Sequence, residues 1–125
     1  MEHEDKVAVV TGAATGIGRG LAVAFANEGA RAVVVADING ERAQESAAAI
    51  NDAGGTALAV TTNVADPDRV HALVKATEDA FGPVEVFCAN AGGLVVGGGA
   101  SPRWGWAAAL AVRYLRPRVS ARAVI

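Results

Sequence analysis

Cysteine is almost missing from this sequence: Cys88 stands alone among 125 residues. A single thiol excludes an internal disulfide and a Cys-rich metal site, and its place in the apolar run Val84-Glu85-Val86-Phe87-Cys88-Ala89 reads as a buried structural thiol. Aromatic residues make up only 5% of the chain, which excludes a core of bulky rings. The abundance of Ala, Val and Gly points instead to thin, closely apposed layers of helix and sheet. No apolar run reaches the roughly 20 residues that a membrane-spanning helix needs, because Gly and charged residues interrupt each one. The start, Met1-Glu2-His3-Glu4-Asp5-Lys6, lacks the basic n-region and long apolar segment of a secretion signal, so a cytoplasmic location is expected. His3 and His71 have no ligand spacing with an acid or with each other, which argues against a metal. Glu41, Glu45, Asp68, Glu78 and Asp79 are spaced as solvated helix faces and form no catalytic carboxylate pair. Acid is missing from the end of the chain: all 13 acidic residues precede Gly99, and Arg103, Arg113, Arg116, Arg118 and Arg122 follow it. These arginines lack interleaved aromatics, so a solvated helix face or an interface accounts for them better than nucleic acid.

What is present is a regular alternation. Val7 to Val10 is a short apolar run ending in Thr-Gly, as a buried parallel strand does, and Ile17, Leu21, Ala24 and Phe25 then recur at helical spacing as far as Asn27. Gly29 closes that helix and Ala32 to Ala36 resumes strand composition, ending at Asp37. Asn39 is an N-cap for a helix over residues 40–53, which Gly54-Gly55 ends before a third strand at Thr56 to Thr61. Asp66-Pro67 supplies a cap with proline at the first helical position, and Val70, Leu73, Val74, Thr77 and Phe81 mark one helix face. Gly82-Pro83 stops it, and Val84 to Ala89 is strand four. The pattern β-α-β-α-β-α-β predicts a doubly wound α/β fold, a parallel sheet of four strands in the order 3-2-1-4 with helices on both faces. Residues 1–93 form this core of a single domain. Residues 94–125 add a Gly-rich loop and a basic final helix, begun by Ser101-Pro102 and carrying Leu110, Tyr114 and Leu115, that Pro117 breaks or kinks.

Thr11-Gly12-Ala13-Ala14-Thr15-Gly16-Ile17-Gly18 falls where the first strand passes into the first helix. Glycines there let the backbone turn sharply and approach a pyrophosphate, while the helix's unpaired N–H groups and dipole favour the anion. A tight turn alone would account for the glycines equally well. Asp37 ends the second strand at the spacing where an acidic side chain accepts hydrogen bonds from the adenosine ribose of a dinucleotide. A 2′-phosphate would meet its charge with no Arg or Lys at positions 13 to 15 or 38 to 40 to compensate, so NAD is expected over NADP. A capping or surface Asp is the alternative.

Thr11-Gly-x-x-x-Gly16-Ile17-Gly18, then Asp37-Ile38, Asn63-Val64 and Asn90-Ala91-Gly92, resemble in order and spacing the short-chain dehydrogenase/reductase family. The resemblance covers the chain to about Gly93 and is looser beyond. It implies a cofactor site formed by Gly12, Thr15, Gly16, Ile17, Gly18, Asp37 and Ile38, with Asn63 and Val64 edging the adenine pocket. Asn90, Ala91 and Gly92 would line the cleft beside strand four, although Asn and Gly also simply suit a strand end. Asn63 departs from the family's more frequent Asp, and its amide oxygen can accept the same bond without the charge.

The tail departs further. The family's Trp followed seven residues on by Asn has no counterpart, since Trp106 leads to Arg113 and Trp104 to Ala111. The family's catalytic Ser, Tyr and Lys would lie beyond residue 125. Tyr114 with Arg118 four residues later imitates the Tyr-Lys spacing but comes too soon after Asn90, and Arg is too basic to replace Lys; Tyr114 reads as helix packing. The resemblance implies an intact parent that interconverts an alcohol and a carbonyl on NAD(H), with this chain retaining dinucleotide binding but no activity of its own. A non-catalytic nucleotide-binding or interaction fragment is the alternative. The strand at Val84 to Ala89, without the family's neighbouring strand, is expected to be an exposed edge that favours self-association.

Overall fold

The computed structural model describes residues 5–13, 16–63, 66–89 and 123–124. They form β1 (Val7–Thr11), α1 (Gly16–Asn27), β2 (Ala32–Asp37), α2 (Gly40–Asp52), β3 (Ala57–Thr61), α3 (Pro67–Phe81), β4 (Val86–Ala89) and β5 (Ala123–Val124). All strand pairs are parallel, and the sheet runs β3-β2-β1-β4-β5. The expected order 3-2-1-4 is therefore present, with one further strand outside β4.

The faces follow from the two-residue period of a strand. Ala8, Val10, Val33, Val35, Val86 and Cys88 turn toward α1 and α2, where they bury Ala22, Phe25, Ala43, Ala47 and Ile50. Val9, Val34, Ala36 and Phe87 turn the other way and meet Leu73 and Val74 of α3. Because both faces are covered, β1 is buried along its whole length and β2 at every residue but Asp37. Removing a Val side chain of this kind from water contributes about 1.5–3 kcal/mol.

Helix ends are fixed by the residues that the sequence marks. Asn39 Oδ1 accepts from Arg42 N–H at 3.1 Å and Asp66 Oδ1 accepts from Asp68 N–H at 3.0 Å. From the last turn of α2, Asn51 reaches forward to the sheet: its Nδ2 donates to Ala57 O at 3.1 Å and its Oδ1 accepts from Ala57 N–H at 2.8 Å. The side-chain amide thus stands beside the start of β3 as a neighbouring peptide would.

Two expectations change at β4. The strand begins at Val86 rather than Val84, since Glu85 is joined to β1 only by its N–H to Val7 O at 3.0 Å before regular pairing starts. Nor is Val84 to Ala89 the bare edge that was expected: Val86 pairs with Ala123 and Phe87 with Val124. Two residues of extended backbone are enough to take up those positions, and they come from the end of the chain. The expected final helix, including Leu110, Tyr114 and Leu115, lies outside the described residues.

Candidate functional site

Parallel strands all end at the same side of the sheet, so residues distant in sequence meet there. Thr11 is in register with Ala36 and Ala89, and Asp37 with Thr61. The chain leaves β1 through Gly12, whose φ of 65° lies in the left-handed region, and enters α1 at Gly16, with φ of 64°. Side-chain-bearing residues rarely hold that conformation. A Cβ on Gly16 would meet nothing within 4 Å, so the backbone there faces open space. Gly18 is buried in α1 on its sheet side, where the lack of a side chain lets helix and strand approach. The first-turn N–H groups of α1 have no intrahelical acceptors and, with the helix dipole, make this end attractive to an anion. No acidic residue occupies that first turn.

Main-chain bonds tie the strand ends together. Ala13 N–H donates to Ala36 O at 3.2 Å, which brings the glycine turn beside the end of β2. Thr62 N–H donates to Asp37 O at 2.9 Å, which brings in the end of β3. Thr11 Oγ1 donates to Cys88 O at 3.3 Å and joins β1 to β4. Asp37 is half-buried, and its Oδ1 accepts from Asn39 N–H at 2.9 Å. Around this edge Ile17 and Ile38 are 72% and 69% exposed, unusual values for large apolar side chains among the described residues. Asn63 is exposed one residue beyond Thr62, and its carbonyl accepts from Asp66 N–H at 3.1 Å.

Of the residues singled out in the sequence, the structure thus brings Gly12, Gly16, Ile17, Gly18, Asp37, Ile38 and Asn63 to one edge. Thr15, Val64, Asn90, Ala91 and Gly92 lie outside the described residues, as do His3 and Tyr114. Among the described residues no cluster of three His, Cys, Asp or Glu could hold a metal ion. Lys6 pairs with Glu85 at 3.1 Å just before β1 and β4, and Lys75 with Asp79 at 3.8 Å along α3. Sequence reasoning missed Asn39 as the donor to Asp37 and Thr62 as the donor to its carbonyl. Asp-x-Asn at a strand end does carry a signal for the first, because an Asp side chain commonly accepts from the N–H two residues on.

The arrangement has relatives. Galactitol 2-dehydrogenase of Agrobacterium fabrum is 48% identical over 91 residues, which is 73% of this chain and 34% of that protein. A 1-deoxy-11-beta-hydroxypentalenate dehydrogenase of Streptomyces arenae is 41% identical over 104 residues, 83% of this chain and 36% of that one. The chain therefore spans about a third of the length of these curated relatives. Among solved structures, a 7α-hydroxysteroid dehydrogenase in complex with NADH and 7-oxoglycochenodeoxycholic acid superposes with a TM-score of 0.82 at 29% identity, covering 92% of this chain and 48% of that one. The family model for short chain dehydrogenases matches residues 6–103, and with the fold and the strand-end geometry in agreement, the chain belongs to the short-chain dehydrogenase family.

Proposed function

We propose that the strand-end edge takes a nicotinamide dinucleotide, NAD in preference to NADP. The observation that carries this reading is the Ala13–Ala36 bond, which sets the glycine turn and α1 on one side of Asp37. Gly12 to Gly18 with the first turn of α1 would hold the pyrophosphate, and Asp37 would accept from the adenosine ribose. Ile38 would cover the adenine and Ile17 the opposite part of the cofactor, which supplies a use for their exposure. Asn63 with Val64, and Asn90 to Gly92, complete the site by family resemblance. A 2′-phosphate would place two negative charges beside Asp37, whereas a ribose hydroxyl donates to it. The open space at Gly16 fits the close approach of a phosphate group.

When bound, such a cofactor accepts or supplies a hydride. The residues of this chain bind and orient it. We read this protein as one of the oxidoreductase type that interconverts an alcohol and a carbonyl, as its relatives' names indicate for them. The only lysines of this sequence are Lys6 and Lys75, so these 125 residues hold no Tyr-x-x-x-Lys, and the chain is expected to bind without turnover. Calorimetric titration with NAD and NADP tests the reading. NAD should bind about tenfold or more tightly, since a hydrogen bond to a charged group contributes roughly 1.5–3 kcal/mol. Asp37→Ala should abolish most of that preference, and equal or tighter binding of NADP by the wild-type chain would reject the role given to Asp37.

A further inference from the structure

The glycine that opens α2 has no conformational reason to be glycine. Gly40 is the first residue of α2 and is not among the residues with left-handed backbone angles. In such a position glycine is disfavoured against alanine, because it surrenders more chain entropy on folding. The reason is spatial. A Cβ at Gly40 would run into Thr61 Oγ1, whereas Thr61 Cβ and Cγ2 would stand at ordinary contact distances of 3.5 and 3.6 Å. The start of α2 thus lies against the last residue of β3, and a single oxygen atom defines the closeness.

That contact sits between the two halves of the candidate nucleotide edge. Immediately before Gly40, Asn39 donates its N–H to Asp37 Oδ1 and caps α2 with its own side chain. Immediately after Thr61, Thr62 N–H holds Asp37 O, and Asn63 follows. The β2–α2 turn is therefore gripped from β3 at two points, the main chain of Asp37 and the α-carbon of Gly40. Resting on the dinucleotide reading above, we infer that Gly40, set against Thr61, is a positioning residue that holds the Asp37 carboxylate at the separation from Thr62-Asn63 which a bound adenosine must span. A side chain at position 40 presses α2 away from β3. Asn39 moves with the helix it caps, and the Asp37 carboxylate moves with Asn39. Turning the Thr61 hydroxyl aside has its own cost, since a β-branched side chain is restricted at χ1.

The test is titration calorimetry of the chain with AMP and with adenosine 2′,5′-bisphosphate. Gly40→Ala should lower AMP affinity about three- to tenfold, within the range found for coupled neighbours, and narrow the preference for AMP over the bisphosphate. Thr61→Ala added to Gly40→Ala should restore both, because it removes the obstructing oxygen. In an Asp37→Ala chain, Gly40→Ala should change the preference no further, as expected of two residues acting through one carboxylate. Thermal melting is recorded in parallel: lowered stability with an unchanged nucleotide preference would make Gly40 structural only and overturn the inference, as would failure of Thr61→Ala to rescue. A wild-type chain that binds neither nucleotide would overturn the dinucleotide reading and this inference together. Wild-type binding with no difference among the variants would overturn the inference alone.

Discussion

Cys88 shows how one buried atom couples the core to pH. Its side chain lies among Val10, Phe25 and Val86 on the α1–α2 face, and burial pushes the thiol up to about 11 from 9.0. The neutral form is the one the core accepts. Below pH 9 the folded and unfolded chains both keep the proton, and this group's contribution to stability is fully present. Between pH 9 and 11 the unfolded chain loses its proton first, so stability falls as pH rises, and the loss levels off once the folded thiol also ionises. Urea midpoints should therefore drop from pH 8 to pH 10 more in the wild-type chain than in Cys88→Ala. A thiol-specific reagent at pH 8 should modify Cys88 slowly in the folded chain and rapidly in urea, since the thiolate is the reactive species; equal rates would contradict the burial. At this same scale, Asp37 is legible from its distance to Gly18, because a ribose acceptor must follow the second strand. The support it receives from Asn39 is not, because an Asn that caps a helix and one that also steadies a carboxylate look alike in sequence.

At the scale of elements, short polar side chains decide where helices and strands stop. Asp66 satisfies an N–H at the start of α3, and Asn51 satisfies both backbone groups of Ala57 at the outer edge of the sheet. Asp66→Ala and Asn51→Ala should each cost about 1 kcal/mol. The two residues share no partner, so a double variant should lose about the sum in urea denaturation. A cost near zero for Asn51→Ala would show that water replaces the amide without penalty. The caps and the helices were readable because Asn39, Asp66-Pro67 and Gly82-Pro83 are local signals. β1 and β2 were readable because strands buried on both faces are unbroken apolar runs. β5 was not: a two-residue strand has no period, and what makes Ala123–Val124 a strand is Val86 and Phe87, far away in the chain.

For the whole molecule, the alternation of strands and helices was enough to set the order 3-2-1-4, since each parallel pair needs a crossover and the helices must cover both faces. The strand-end edge followed from that order, and the part expected from residues 90–92, outside the described residues, rests on resemblance alone. The uniformly parallel pairing has a kinetic side. From β1 to β4 no two strands are joined by a hairpin, so this part of the sheet cannot begin from a turn; each of its ladders waits for a loop that includes a helix to close. The Thr11–Cys88 bond closes over 77 residues, against the shorter loop between β1 and β2. Refolding should begin with β1, β2 and the helix between them, and β4 should join afterwards. In stopped-flow experiments Val33→Ala should chiefly slow refolding, whereas Val86→Ala should chiefly accelerate unfolding. The opposite assignment would mean that the central strand finds its distant neighbour first, and that the half of the edge carrying Asp37 is assembled onto a sheet already bonded on its other side.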